Sequence, residues 1–199
     1  MGTTLIIPGF GGSDEGHWQR VWLTDHARAK LVEQRSWSRP VLAEWLFALE
    51  TELARNPGAL LVAHSLGAVL VAHLAGRPAA RHVSGALLVA PCELDTVEGY
   101  HPGAIDFGDI PERALPFPST VVASRNDPYM TFERAQHLAV AWGADLTDLG
   151  AAGHINIASG FGRWQRGYEL AAALSERAQL ARPVPHGPVN GGNGQRNVG

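Results

Sequence analysis

The chain has 199 residues, 45% of them hydrophobic, and a formal charge of −3 at pH 7, which fits one ordinary domain with a sizeable core. Its 16 Lys and Arg are scattered, so no basic field is offered to a phosphate backbone and nucleic acid is not an expected partner. The single cysteine, Cys92, excludes an intrachain disulfide and a multi-cysteine metal site.

The apolar pattern begins almost at Met1, without a basic n-region, a long h-region or a small-residue cleavage site. No apolar run reaches membrane-spanning length. A cytoplasmic protein without membrane contact is the expectation. Residues 3–7 (TTLII) read as a strand that stops at Pro8-Gly9-Phe10-Gly11-Gly12-Ser13, and a helical pattern follows from about His17. A second strand is expected around residues 30–36. Pro40 then opens a helix with Leu42, Leu46, Leu49 and Leu53 on one face, which ends at Asn56-Pro57-Gly58. Residues 59–63 (ALLVA) read as a strand buried on both faces, and residues 66–75 as an apolar helix rich in small residues. Further strands are expected at 83–90, 120–124 and 145–149, and helices near 131–142 and 161–178.

This alternation predicts an α/β fold: a doubly wound, mostly parallel six-stranded sheet with helices on both faces, because parallel strands need long right-handed crossovers. Ligands of such sheets bind beyond the carboxyl ends of the strands. The rhythm breaks twice. Residues 91–118 form a proline-rich excursion too long for a plain connector. The Pro-, Gly- and Asn-rich end predicts a folded domain over residues 1–180 and a disordered tail over 181–199.

Ala63-His64-Ser65-Leu66-Gly67 matches the nucleophile elbow G-x-S-x-G with Ala in the first glycine position, and it lies between a buried strand and an apolar helix, where that elbow belongs. A plain helix cap is the simpler role for Ser65. A serine hydroxyl needs a base at neutral pH, so the reading depends on an acid and then a histidine following in chain order. Asp127, in Ser124-Arg125-Asn126-Asp127-Pro128, follows the fifth strand, and His154, in Gly153-His154-Ile155-Asn156, follows the sixth. Asp127 could instead serve a turn. Its rivals are less well placed: Asp95, Asp106 and Asp109 lie in the excursion and Asp148 within a strand. Among the other histidines, His26, His73, His82 and His137 fall on or beside regular elements, His101 is in the excursion and His186 in the tail.

His64 adjoins the nucleophile and should point away from it, as packing or substrate-pocket lining. His17 reads as a helix start that could approach the site, with Trp18 beside it as a second substrate-binding residue. Two backbone N–H donors are expected to receive the oxyanion, that of Leu66 and that of Phe10 in the glycine loop. The same loop fails as a phosphate cradle: the last position of G-x-G-x-x-G is Asp14, and no G-K-[ST] follows. No cofactor and no metal are expected, and the expected partner is a small-molecule ester. Tyr100, Ile105, Phe107, Ile110 and Leu115 are expected to form one wall of a shallow pocket, with Phe10 and Trp18 on the other.

Taken together, Ile7-Pro8-Gly9-Phe10, Gly16-His17-Trp18-Gln19, the elbow, Asn126-Asp127-Pro128, Gly153-His154-Ile155-Asn156 and Phe161-Gly162-Arg163-Trp164 resemble the small serine hydrolases related to the retinoblastoma-binding serine hydrolase and its bacterial relatives. The resemblance runs from Thr3 to about Arg177. It implies a minimal α/β-hydrolase of six strands without a separate lid domain, Ser65, Asp127 and His154 as the triad, and hydrolysis of small carboxylic esters. A thioesterase, amidase or peptidase with the same triad, or a binding protein on the same scaffold, remains open.

Overall fold

The computed structural model describes residues 2–180, so the expected tail lies outside the described residues. In chain order the elements are β1 (Thr4–Ile7), α1 (Trp18–Asp25), β2 (Ala29–Leu31), α2 (Leu42–Arg55), β3 (Ala59–His64), α3 (Leu66–Ala72), β4 (Val83–Val89), α4 (Leu94–Tyr100), β5 (Ser119–Ala123), α5 (Phe132–Trp142), β6 (Asp145–Asp148) and α6 (Gln165–Leu180). All six strands are parallel in the order β2-β1-β3-β4-β5-β6. The chain starts inside the sheet, runs out to β2 and returns across β1 to β3. The loops after β1 and β3 therefore diverge at a topological switch point.

Successive strand residues turn to opposite faces. Leu5, Ile7, Leu61, Ala63, Leu88 and Val121 pack beneath α2, α3 and α5. Ile6, Leu60, Val62, Leu87, Val89 and Val122 pack against Trp18 and Trp22 of α1 and Ala171 and Leu174 of α6. Every residue of the central β3 is buried, as a strand covered on both faces requires. The periodicity of α2 buries Trp45, Leu46, Leu49 and Leu53 and leaves Phe47 in solvent. Each fully buried large apolar side chain contributes roughly 1.5–3 kcal/mol. α5 begins at Thr131, whose side chain accepts the Arg134 N–H, and ends at Gly143 in the left-handed conformation, which glycine adopts without strain. Among the described residues no helix is long and apolar enough to cross a membrane.

Several boundaries differ from expectation. β2 keeps three residues instead of seven, because it is an edge strand whose only partner is the short β1. α2 starts at Leu42, not Pro40, because Val41 bridges Asp106 and holds that stretch extended. α3 ends at Ala72, and α6 starts only at Gln165, after Phe161 and Trp164 have packed edge to face. The excursion contains α4, which the sequence reading missed. It is fastened by Leu42 N–H to Asp106 O (2.8 Å) and Leu115 N–H to Trp142 O (3.0 Å), and it buries Phe107, Leu115 and Phe117 in the main core.

The tightest approach in the sheet's surroundings is that of α3 to β1. A Cβ built on Gly67 would lie 2.3 Å from the Ile7 carbonyl oxygen and 2.5 Å from that of Pro8. Backbone carbonyls cannot swing aside as a side chain can, so Gly67→Ala should lower the unfolding midpoint by about 5–10 °C, the range of a core overpacking of a few kcal/mol. Gly99→Ala in α4, where a Cβ meets nothing within 4 Å, should leave the midpoint unchanged or raise it slightly. Calorimetry of both variants checks this, and equal midpoints would contradict the close approach.

Candidate active site

β3 delivers Ser65 into a sharp turn with φ 55° and ψ −124°, a strained conformation for a residue with a side chain. The turn is held because the Ser65 N–H donates to Val89 O (3.0 Å) and because Gly67 admits α3 against β1. Ala63 is fully buried behind it, so the extra methyl relative to glycine is accommodated. The Ser65 side chain makes no helix-capping hydrogen bond. Its Oγ instead lies 2.9 Å from His154 Nε2. His154 Nδ1 stands 2.9 Å from both carboxylate oxygens of Asp127. An acceptor on Nδ1 fixes the proton there, which leaves Nε2 to accept the Ser65 hydroxyl. The Asp127 carboxylate is almost wholly buried and also accepts the Tyr129 N–H (2.9 Å).

The His154 loop is clamped from several elements. Asn126 Oδ1 accepts the Gly153 N–H (2.7 Å), Ser124 Oγ the Ala152 N–H (2.9 Å), and Ser159 Oγ the His154 N–H (3.1 Å). Trp18 Nε1–H donates to Ile155 O (2.8 Å), and Ile155 is itself strained at φ 50°. His64 Nε2–H donates to His154 O (2.9 Å), joining the turn at Ser65 directly to the His154 loop. The rival Asp148 is paired with Arg125 at the surface.

Phe10 and Leu66 are neighbours across the site. A Cβ on Gly9 would come within 2.8 Å of Ser65 Cβ and 3.1 Å of Leu66 N, so the loop after β1 lies directly against the elbow. Gly11 and Gly12 donate their N–H groups to Trp37 O and Gly9 O, while the Phe10 N–H enters no turn or loop hydrogen bond among the described residues. Two free amides beside a serine hydroxyl can receive a developing oxyanion.

A cavity of about 440 Å³ opens over Ser65, with Phe10, His17, His64, His101, Tyr129 and Asn156 among its walls. The sequence reading of these walls needs correction. Trp18 does not line the cavity: it is 1% exposed, packed against Trp22, Trp164 and His64. Tyr100, Ile105, Phe107, Ile110 and Leu115 do not line it either: the excursion packs Ile105, Phe107, Ile110 and Leu115 onto the main core, and Tyr100 is exposed, with its ring against Tyr129. The excursion contributes Val97 and His101 instead, and the His101 ring stacks on Phe10 at 4.3 Å. His101, Asp14, Tyr129 and Asn156 were missed. Tyr129 and Asn156 each follow a predicted triad residue by two positions, which is the signal that could have found them. Among the described residues no group of three His, Cys, Asp or Glu side chains is placed to hold a metal.

The histidines form a chain: ring centroids lie 5.1 Å apart for His17 and His64 and 4.8 Å for His64 and His154. Burial is the largest cause pushing His17 down to about 4, against the opposing pull of Asp14. Burial likewise holds His64 well below the imidazole range, with His154 and His17 adding to the effect. Cys92 is buried beside Ser65, and desolvation pushes its thiol up to about 12, so it is an unreactive thiol at neutral pH.

The sequence profile described as "Serine hydrolase" matches residues 4–173. Among solved structures, a YdeN-like hydrolase from Pectobacterium atrosepticum is 34% identical, over 88% of this chain and 91% of that one, with a TM-score of 0.77. The ydeN gene product of Bacillus subtilis is 22% identical over 88% of this chain and 100% of that chain (TM-score 0.67). MGS-M1, an α/β hydrolase from a Medee basin deep-sea metagenome, is 14% identical over 89% and 84% (TM-score 0.65). The last two likenesses concern the fold alone. No curated protein sequence matches the chain.

The buried histidines carry a consequence for stability. In the unfolded chain they protonate near 6.5, and in the folded protein only at lower pH. Their stabilising contribution is therefore complete above about pH 6.5 and is lost as pH falls, for His17 down to about 4. Between pH 7.5 and 5 the loss of unfolding free energy should be about 1–2 kcal/mol smaller in His17→Asn, which keeps a helix-capping acceptor. Denaturant titrations of both proteins at the two pH values measure it, and an equal loss would mean that His17 is not held neutral.

Proposed function

The chain belongs to the serine hydrolase family, and on that premise we propose that it cleaves small carboxylic esters through an acyl-enzyme, with Ser65 as nucleophile, His154 as general base and Asp127 as the orienting acid. The observation that carries this reading is the line of hydrogen bonds from Asp127 through His154 to Ser65, 2.9 Å at each link, beside the switch point of the sheet. Ser65 Oγ bonds to the ester carbon while its proton passes to Nε2. The imidazolium is stabilised by the ionised Asp127 on Nδ1–H. The carbonyl oxygen becomes an oxyanion facing the Leu66 and Phe10 amides. Collapse expels the alcohol, which takes the proton from Nε2. Water then gives its own proton to Nε2, bonds to the acyl carbon and releases the acid, and Ser65 recovers its hydrogen.

A fluorophosphonate probe should add once per chain, at Ser65, and Ser65→Ala should not label. Peptide mapping to another residue would remove the nucleophile assignment. Asp127→Asn should keep the fold and reduce kcat by about 10⁴, by analogy with the serine-protease aspartate, whereas Asp148→Asn should have little effect. A reversal of that order would assign the acid elsewhere.

The cavity supports a short acyl group: it is open on one side, and its walls are mainly polar or aromatic rather than a long aliphatic tunnel. Methylenes left outside forgo the ~0.8 kcal/mol that burying each would give. Among p-nitrophenyl acetate, butyrate, octanoate and palmitate below their micelle concentrations, kcat/KM should peak at the short end. A steady rise to palmitate would point to a deep acyl site instead.

A further inference from the structure

The His17 side chain is accounted for on one side only. Its Nδ1 accepts the Gln19 N–H at 3.2 Å and caps α1. With Nδ1 acting as acceptor, the hydrogen of the neutral ring must sit on Nε2. That N–H has no partner among the described residues, although the residue is 95% buried (5% exposed) and lines the cavity over Ser65. A cap alone would leave the second nitrogen free to face solvent. Here the ring packs against Trp18 and His64, Nε2 is not sealed off, and the cavity that His17 lines is where its N–H can meet a partner.

Three positions earlier, Asp14 lines the same cavity, and its carboxylate enters no hydrogen bond or ion pair among the described residues. It is near enough to act electrostatically on the His17 ring. Neither Lys nor Arg lines the cavity. A donor and a carboxylate acceptor thus line one cavity, without a cation beside them to attract an acid.

We propose that His17 Nε2–H and the Asp14 carboxylate form a polar subsite that binds a substrate group able both to accept and to donate a hydrogen bond, a hydroxyl or a carboxamide, next to the scissile ester. The substrate oxygen accepts from His17 and its O–H or N–H donates to Asp14. The substrate class is then hydroxylated or amide-bearing short esters, and carboxylate-bearing esters are disfavoured by the Asp14 charge. This rests on the hydrolase reading above. Because burial lowers His17 to about 4, the neutral ring and its N–H donor are present at neutral pH.

The test compares kcat/KM for matched esters: p-nitrophenyl 3-hydroxybutyrate against p-nitrophenyl butyrate for the acyl arm, and 2-hydroxyethyl butyrate against propyl butyrate for the alcohol arm. Wild type should prefer the hydroxylated member about 10-fold in at least one arm, the scale of one net hydrogen bond. In His17→Asn, which caps α1 but does not reach the cavity, that ratio should fall to about two-fold or less. Asp14→Ala, on an exposed loop, should reduce the ratio as well, and it serves if His17→Asn does not fold. In Asp14→Asn, hydrolysis of the p-nitrophenyl half-ester of succinic acid should rise relative to the butyrate. Fluorophosphonate labelling of wild-type Ser65 is read in parallel. Labelled protein with no hydroxyl preference in either arm, or a preference that survives both variants, overturns the subsite alone. Failure of wild-type Ser65 to label overturns the hydrolase reading and the subsite with it.

Discussion

The contact between Gly67 and the carbonyl oxygens of Ile7 and Pro8 leaves no room for even a methyl group, and the geometry of the site follows from it. With α3 pressed against the end of β1, the chain leaving β3 must turn within one residue, and Ser65 takes the positive φ that this turn demands. The same approach brings the loop after β1 onto the elbow, where Gly9 has no room for a Cβ beside Ser65 and Leu66. One steric constraint thus sets the hydroxyl, the Leu66 amide and the Phe10 amide in mutual register. The strain at Ser65 is balanced by a helix whose seven residues are all buried, so the elbow cannot relax without opening the core.

On the proposed mechanism, the electrostatics are arranged around a charge that appears only during turnover. His154 has Asp127 on Nδ1 and two other imidazoles in sequence behind it. Were His64 or His17 protonated, each would oppose an imidazolium on His154. Burial holds both neutral, so the nearest fixed charge facing His154 is the carboxylate. His64 meanwhile has a mechanical role: its N–H on the His154 carbonyl ties His154 to the same turn that carries Ser65.

Much of this was legible in the sequence because the constraint is expressed in residue types. A fully buried strand before a serine, a glycine two positions after it, and an acid and a histidine each just past a later strand place three side chains at one end of a parallel sheet. The walls were not legible for the opposite reason. Whether Trp18 faces the cavity or the core depends on the rotation of α1, and nothing in Gly16-His17-Trp18-Gln19 fixes it. The rotation is set by distant partners, the Ile155 carbonyl for Trp18 and the Ile7 and Val62 carbonyls for Gln19. α4 escaped because its seven residues bury only Val97, too little for a periodic signal.

The excursion explains why the cavity has no long aliphatic wall. An apolar segment after β4 has two surfaces it could cover, the open mouth over Ser65 and the flank between α2 and α5. Phe107 meets Trp45 edge to face at 5.5 Å, Trp142 Nε1–H reaches Pro111 O at 2.7 Å, and Leu115 and Phe117 join the same core. These contacts direct the large apolar residues to the flank, where they are shielded on every side. What remains toward the mouth is α4, which turns Val97 and His101 to the cavity. A chain of this length that uses its larger apolar residues to seal a core leaves the cavity over Ser65 to be lined by imidazoles, a carboxylate and an amide as much as by Phe10, Tyr129 and the small apolar residues Val97, Ile157 and Ala158. On the reading proposed above, such a lining selects substrates by their hydrogen-bonding groups as well as by their length.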